Sequence, residues 1–337
     1  MKKFINIIGL LILFVGFANN IPAIRVWGDL EDVSPNEKWI LYKAPHKSKR
    51  DDFNEGTLYI LNIEKNEIAT IADDITLEDP NSLFLSDSIV ARPAHGKIVC
   101  YDIYQKAIVN DLVTFDPELE FLKFSISRSK MQLALLLKDN RAGQVFLQVI
   151  DLVDHKKYEI SHQLPCLGQC GDAVSSPIWW YNNHVIYAVH NQLYDYQLGS
   201  VSSLLISDNL YDYALNQDEI LFIEWDKIAT YKFKKFNFAQ LEVEDFVLKE
   251  DLDLRHVKFI SLDTFVIDHM SQAMLNLEHQ KFYIVQKDGL LKPQENLFVY
   301  QSSQLTIRKE LTTSISIYDK VTRVVDRQGL VIESAIH

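Results

Sequence analysis

The sequence predicts an all-β fold, and two observations support that prediction. First, the chain consists of short runs of alternating, β-branched and aromatic residues, broken by Asn, Asp, Gly and Ser turns, while long amphipathic helical patterns are scarce. Second, one strand-turn-strand pattern returns along most of the chain at a nearly constant spacing. Apolar residues make up 47% of the 337 residues, which is enough to build a large core.

In each repeat, an apolar strand ends at a polar residue, and a turn then leads to a new strand. The polar residue falls at Asn62, Asp102, Asp151, Asp195, Lys232, Asn276 and Asp319. The mean step is about 43 residues, the length of a four-stranded propeller blade. Asp or Asn can accept hydrogen bonds from the N–H groups of the turn, so we interpret these positions as structural. Lys232 cannot do this, which makes blade five the least regular repeat.

The predicted architecture is therefore a β-propeller with seven four-stranded blades, and six or eight blades are the alternatives. A second turn precedes the apolar strand of each blade and is clearest in the stretch VSPNEKWILY, which starts at Val33. We expect this turn to join the innermost strand of a blade to its second strand.

This second turn resembles the TolB-type propeller repeat, in which Phe-Ser-Pro-Asp-Gly-Lys precedes a short apolar strand. The matching residues are Ser34, Pro35, Asn36 and Lys38. Glu37 stands where glycine is usual, and Ser125 is one of few further matches. The resemblance implies a propeller fold over most of the mature chain and says little about function. The broad group includes periplasmic interaction proteins and the propeller portions of some peptidases and polysaccharide lyases.

Residues 1–23 predict a secretory signal peptide, because two lysines precede an apolar run and then small residues. The run has about 14 residues, short of the roughly 20 that a spanning helix needs. An uncleaved anchor is the alternative. We expect cleavage after Ala18 or Ala23, a single propeller domain over residues 24–337, no membrane span thereafter, and a periplasmic or secreted location. Either IRVWGD or LVIES, near the two termini, could complete the last blade.

Thiols of exported proteins tend to oxidise, so disulfide bonds are considered for the three cysteines. Cys166 and Cys170 frame the stretch CLGQC, and their spacing predicts a disulfide bond. A metal site is the alternative, but only His162 and Asp172 lie nearby in sequence as further ligands. Cys100 lies in an apolar strand and is interpreted as a small buried residue.

The charge balance argues against nucleic acid as a partner. The formal net charge is −12 for 34 Lys+Arg and 46 Asp+Glu, and loss of Lys2 and Lys3 with the signal makes it −14. An acidic surface repels phosphate backbones. The sequence has no phosphate-binding glycine loop, no nucleophile elbow and no zinc-protease or calcium-loop motif. We therefore predict no catalytic residues, metal or cofactor.

The alternative is a propeller enzyme, such as a polysaccharide lyase, with a metal or histidine site in the central channel. The ten histidines are scattered, and His184 and His190 form the closest pair in strand regions. The densest aromatic stretch, Trp179, Trp180 and Tyr181, suggests sugar stacking, whereas packing between neighbouring blades is the simpler interpretation.

Basic residues cluster in three predicted loops that should share one rim of the ring. In a propeller, the loop between the second and third strands of a blade lies on the same rim as the connections between blades. The predicted binding residues in these loops are Lys47, Lys49, Arg50, Arg92, His95 and Arg141. We expect a monomeric protein-interaction or ligand-binding scaffold whose rim attracts an acidic protein segment or a polyanionic glycan. Ordinary solvated loops, with Asp51, Asp52 and Asp139 cancelling part of the field, are the alternative.

Overall fold

The computed structural model describes residues 23–45, 55–76, 82–94, 96–116, 118–127, 129–139, 141–163, 178–216, 219–225, 231–249, 257–259, 266–272, 278–285, 291–294, 297–318 and 321–334. These residues contain strands and turns and no helix. The strands form seven four-stranded antiparallel sheets. The predicted all-β propeller with seven blades is confirmed.

Six blades follow one another along the chain. Blade one contains β2 (Asp29–Val33), β3 (Trp39–Pro45), β4 (Glu55–Asn62) and β5 (Glu67–Thr76). Blade two contains β6 (Leu83–Phe84), β7 (Ile89–Ala94), β8 (Lys97–Asp102) and β9 (Ala107–Thr114). Blade three contains β10 (Glu120–Ile126), β11 (Gln132–Asp139), β12 (Gln144–Asp151) and β13 (Lys157–Gln163). Blade four contains β14 (Trp179–Tyr181), β15 (His184–Val189), β16 (Gln192–Gln197) and β17 (Leu204–Ser207). Blade five contains β18 (Leu210–Asn216), β19 (Glu219–Trp225), β20 (Tyr231–Asn237) and β21 (Glu242–Asp245). Blade six contains β22 (Val257–Phe259), β23 (Val266–Gln272), β24 (Glu278–Val285) and β25 (Leu291–Gln294).

Blade seven closes the ring with strands from both ends of the chain. Its strands are β26 (Leu297–Gln301), β27 (Leu305–Tyr318), β28 (Val321–Ser334) and β1 (Ile24–Trp27), in that spatial order. The stretches IRVW and LVIES therefore both belong to this blade, because β1 pairs with β28 through the register Ile24↔Ile332 to Trp27↔Gly329. First strands of neighbouring blades contact one another, β2 with β6 and β10 with β14, and so face the axis of the ring.

The turn of the TolB-type motif joins the first and second strands of blade one, as predicted. The Ser34 N–H donates to the Trp39 carbonyl at 3.0 Å, and the Trp39 N–H donates to Ser34 Oγ at 3.0 Å. The Glu37 N–H closes the turn on the Ser34 carbonyl at 2.8 Å. Glu37 has φ 56°, a left-handed conformation that explains why glycine is usual at this position.

Blade three repeats this turn two residues later than the sequence motif suggested. Ser127, rather than Ser125, takes the place of Ser34, because its N–H and hydroxyl bond the Gln132 backbone at 2.9 and 3.1 Å. Lys130 has φ 59° and takes the place of Glu37. Ser125 lies within β10 instead.

The polar residue between the third and fourth strands has the predicted structural role in three blades. One side-chain oxygen of Asn62, Asp102 or Asp151 accepts N–H bonds from the next residues of the turn at 2.8 to 3.3 Å. Asn237 does the same in blade five, with bonds at 2.8 and 3.3 Å. The assignment to Lys232, which lies within β20, is therefore wrong.

The assignment to Asp195 is also wrong. Gln197 ends the third strand of blade four and pairs with His184, just as Asn62 pairs with Trp39 in blade one. Asp195 lies inside β16, and its carboxylate contacts the His184 ring. The remaining two assigned positions, Asn276 and Asp319, lie outside the described residues.

The core consists of apolar clusters between neighbouring blades. Trp180 packs in a cluster of blades three and four, while Trp179 packs against a cluster of blades four and five. Tyr181 stacks on Phe238 with ring centroids 4.4 Å apart. The packing interpretation of this aromatic stretch is therefore confirmed. Cys100 is a buried free thiol, as expected. Nowhere in the described ranges does the chain form a helix long and apolar enough to cross a lipid bilayer.

Candidate binding surfaces

The antiparallel blades give the ring two different rims. Since strand direction alternates within each blade, the loops between second and third strands share a rim with the connections between blades. We call this side the connection rim. The Ser34 turn and the Asp102 turn lie on the opposite rim.

Two of the six predicted binding residues can be placed on the connection rim. Lys47, Lys49, Arg50 and His95 lie outside the described residues, as do Cys166 and Cys170. Arg92 is half-buried on β7, where Nη1 donates to the Pro93 carbonyl at 3.3 Å. Burial lowers the pKa of its guanidinium.

Three described basic side chains near the rim loops of blades two and three have acidic partners. Arg141 is exposed, and its Nη1 lies 2.6 Å from the Glu118 carboxylate. Lys97 lies 2.9 Å from Asp111, and Lys138 lies 3.2 Å from Glu120. These pairs reduce the positive field that loop composition alone would predict in this sector.

Blade seven carries an extension on the connection rim. Strands β27 and β28 pair continuously over 14 residues each, whereas every other described strand has ten residues or fewer. The strands on either side stop sooner. β26 pairs with β27 no further than Lys309, and β1 pairs with β28 no further than Gly329. Beyond that level, residues Leu311–Tyr318 and Val321–Gln328 form a two-stranded ribbon to which no third strand of the described chain pairs. We call this segment the ribbon, and at the usual antiparallel rise it extends about 27 Å.

A cleft opens on the outer side of the ring, between blades three and four. It has a volume of about 410 Å³ and is lined by Glu159, Ile160, Ser161, His162, Tyr194, Val201, Ser202 and Ser203. The first four of these residues belong to β13, Tyr194 belongs to β16, and the last three lead into β17. Two blades therefore supply opposite walls of the cleft.

A chain of hydrogen bonds connects these walls. His162 Nε2 and Ser203 Oγ each lie 2.7 Å from the hydroxyl of Tyr187, a residue that is fully buried beneath the cleft. The His162 and Tyr194 rings lie 4.2 Å apart, and Tyr194 stacks on Tyr187 at 5.5 Å. Burial lowers the pKa of His162 and raises the pKa of Tyr187 and Tyr194. The imidazole and both phenols are thus neutral at neutral pH.

A histidine that contacts a carboxylate lies between blades four and five. His184 Nδ1 lies 2.8 and 2.9 Å from the two carboxylate oxygens of Asp195. Burial raises the pKa of this carboxyl, and His184 partly offsets the rise. Within the described ranges, no group of three or more His, Cys, Asp and Glu side chains comes together in a way that could hold a metal ion.

Sequence analysis identified His162 only as a nearby metal ligand and did not identify Tyr187, Tyr194 or Ser203. The available signal was the pattern HVIYAV followed by QLYDYQ, in which Tyr187 and Tyr194 pair directly across β15 and β16. Nothing in that pattern predicted that His162 would come from the neighbouring blade.

Comparison with known proteins supports the fold alone. No family model matches the chain, and no curated protein matches it in sequence. An oligogalacturonate lyase solved in complex with manganese aligns over 92% of this chain and 89% of its own, with 9% identity and a TM-score of 0.59. The β-propeller domain of the Trilobed protease from Pyrococcus furiosus aligns over 93% and 97%, with 11% identity and a TM-score of 0.51. TolB from Acinetobacter baumannii aligns over 77% of this chain and 64% of its own, with 14% identity and a TM-score of 0.45.

The fold therefore defines the class of protein: this chain is a seven-bladed β-propeller. The Ser34 turn and the Asp102 turn carry the blade geometry that the repeat predicted. The activities of the lyase and the protease belong to those proteins.

Proposed function

We propose that this chain is an exported, monomeric β-propeller that binds a protein partner through its connection rim and performs no catalysis. Export is supported by the signal-like residues 1–23 and by the CLGQC stretch, in which we propose a Cys166–Cys170 disulfide bond. Mass spectrometry of non-reduced peptides tests that bond, and two separately alkylated thiols would contradict it.

The observation that carries the proposal is the ribbon of blade seven. Blade closure requires only the C-terminal part of β28, because β1 pairs with Gly329–Ile332. The ribbon continues for eight register pairs beyond this level, from Leu311↔Gln328 to Tyr318↔Val321. Isolated two-stranded hairpins are marginally stable in water, and free strand edges readily pair with another extended segment. The ribbon is therefore suited to strand addition by an extended segment of a partner.

The chemistry of the neighbouring sequence favours an acidic partner. Blade one follows blade seven around the ring, and the sequence that joins its second and third strands, residues 46–54, contains Lys47, Lys49 and Arg50 against Asp51 and Asp52. The sequence of residues 311–328 adds Lys320, Arg323 and Arg327 against Asp319 and Asp326. In blades two and three the described rim bases near Arg141 are already paired with acids. We therefore place the contact at blades seven and one, where attraction would mainly speed the encounter with an acidic segment.

The test is a truncation that leaves blade seven with four strands. Leu311–Gln328 is replaced by Asn-Gly, which joins Glu310 to Gly329 through a tight hairpin turn. Tagged wild-type and truncated proteins are cross-linked in living cells, and captured partners are identified and quantified by mass spectrometry. We expect the truncated protein to lose a specific acidic partner while its melting temperature stays near that of wild type.

Charge variants complete the test. Lys47→Glu, Lys49→Glu and Arg50→Glu together should slow capture and reduce its dependence on salt, whereas the matched control Arg141→Glu should have little effect. Undiminished capture by the truncated protein would contradict the proposal. Turnover of oligogalacturonate, with or without manganese, would instead support the enzyme alternative, and it would be measured by the ultraviolet absorbance of the unsaturated product.

A further inference from the structure

We infer that the cleft between blades three and four is a binding site for a neutral oligosaccharide. This site lies on the outer side of the ring, formed by β13, β16 and the residues before β17. It is separate from the ribbon. The inference does not depend on the proposed protein partner.

The first support is that both walls of the cleft are fixed in place. His162 and Ser203 come from different blades, and each lies 2.7 Å from the same buried Tyr187 hydroxyl. The Tyr194 hydroxyl donates to Gln192 at 2.7 Å, which holds the phenol ring against rotation. A site whose side chains are already ordered loses less entropy when it binds a ligand.

The second support is the type of group that lines the cleft. The Tyr194 and His162 rings offer flat apolar faces, and the exposed side chain of Val201 adds apolar surface at the mouth. Ser202 and Ser203 offer hydroxyl groups that can both donate and accept hydrogen bonds. Sugar rings present the same combination, because C–H groups cover their faces and hydroxyl groups surround their edges.

The third support concerns charge and decides the class of ligand. Among the described lining residues there is no lysine or arginine, and the one carboxylate, Glu159, accepts a hydrogen bond from Gln148 Nε2 at 3.2 Å on the other face of the sheet. A phosphate, sulfate or uronate would therefore find no basic partner of the kind that anion recognition usually uses. A neutral ligand rich in hydroxyl groups can instead bond with Ser202 and Ser203.

The size of the cleft limits the ligand. A volume of about 410 Å³ lies in the lower part of the range that small-molecule sites occupy, roughly 300 to 1,000 Å³. This volume can hold about two sugar units, with the rest of the chain leaving through the open mouth beside Val201, whose side chain is 97% exposed.

The test uses the full chain and defined probes. Cellotetraose, maltotetraose and chitotetraose are the neutral probes, and tetragalacturonate is the anionic comparator. Binding is measured by ligand-observed saturation-transfer NMR and by calorimetry. We expect at least one neutral probe to bind with a dissociation constant of about 1 mM or lower, and more tightly than tetragalacturonate.

Blocking variants locate the binding. Ser202 is exposed at the cleft, so Ser202→Trp should fill the cleft and weaken binding by about tenfold or more. Ser303→Trp is the matched control, since Ser303 is equally exposed in the turn of blade seven, and it should bind as wild type does. Val201→Trp blocks the cleft at its exposed mouth and replaces Ser202→Trp if that variant does not fold.

Three results would overturn the inference. The first is the absence of saturable binding by any neutral probe at roughly 10 mM. The second is tighter binding of tetragalacturonate than of every neutral probe. The third is unchanged affinity in a folded blocking variant, which would place the saccharide elsewhere. Loss of protein capture by the ribbon truncation would leave all three measurements unaffected.

Discussion

Replacement of Gly28 by alanine tests how the ring closes. Gly28 is the single residue between β1, the last strand of blade seven, and β2, the first strand of blade one. Its φ of 140° lies in a region that residues with a side chain rarely adopt. A Cβ at this position would lie 2.0 Å from the carbonyl oxygen of Lys43 and 2.9 Å from its carbonyl carbon. Both atoms belong to the backbone of β3, so no rotamer change can relieve the contact.

The expected cost has two parts. The unfavourable φ costs about 1 to 3 kcal/mol, and forcing β3 away from the new methyl group costs about 1 to 3 kcal/mol more, as in overpacked cores. Gly199→Ala is the matched control, because Gly199 has φ 85° and nothing within 4 Å of its Cβ position. That control should cost only about 1 kcal/mol. For a domain of roughly 300 residues, a difference of about 3 kcal/mol corresponds to about 5 °C in melting temperature.

Urea unfolding of both variants provides the assay, with the slope m checked for equality so that midpoints report stability. Hydrogen exchange adds a local measurement. Amides of Ile24–Trp27 should lose protection first in Gly28→Ala and keep it in Gly199→Ala, because only the first variant disturbs the closing strand. Equal midpoints and equal protection of β1 would refute the close approach of Gly28 to Lys43.

Three further predictions concern single side chains. Asp102→Ala removes a carboxylate that accepts turn N–H groups at 2.8 and 2.9 Å, so it should destabilise by about 1 kcal/mol in urea unfolding, while Asp102→Asn stays closer to wild type. Burial lowers the pKa of His162 from 6.5, so the unfolded chain binds the proton more readily and the melting temperature should fall as pH drops below about 6.5, a dependence that His162→Gln should reduce. Lys43 Nζ lies 3.3 Å from the Glu31 carboxylate with both side chains 5% exposed, so Lys43→Met should cost about 3 kcal/mol at neutral pH, whereas the exposed Lys38→Met should have a much smaller effect. Burial already raises the pKa of Glu31, so the Lys43→Met penalty should shrink as pH falls through that raised pKa, and a pH-independent penalty would contradict this account.

The sequence predicted the blade turns well where the bonds are local. Asp102 and Asp151 bond the N–H groups two and three residues ahead, so residue type and position suffice to identify them. The predicted turn residue was wrong by two positions in blade four, where Asp195 was assigned instead of Gln197. It was wrong by five positions in blade five, where Lys232 was assigned instead of Asn237. An alternating strand looks similar when shifted by two residues. Only the cross-strand pairing of Gln197 with His184, and of Asn237 with Glu219, establishes the register.

The charge of the connection rim was harder to predict, because the acidic partners come from other segments. Arg141 pairs with Glu118, 23 residues earlier, and Lys97 pairs with Asp111 on the adjacent strand. A count of charges within each loop treats these basic side chains as unpaired, whereas their acidic partners reduce the positive potential around them. The same limitation applies to the cleft, where His162 meets Tyr187 across a blade boundary. Strand periodicity predicts which residues alternate and does not show which faces of two neighbouring blades will meet.

The last repeat shows how a correct period can hide a different structure. Asp319 was assigned to a turn between the third and fourth strands, yet it lies in the sequence between β27 and β28, the second and third strands of blade seven. The fourth strand, β1, comes from the other end of the chain, so no such turn follows β28. As a consequence, β28 contains two separable parts: Gly329–Ile332 pairs with the closing strand, and Val321–Gln328 pairs only with β27. The hydrogen bonds between Gly329–Ile332 and β1 do not depend on Val321–Gln328. Removal of the ribbon should therefore eliminate partner binding without opening the ring.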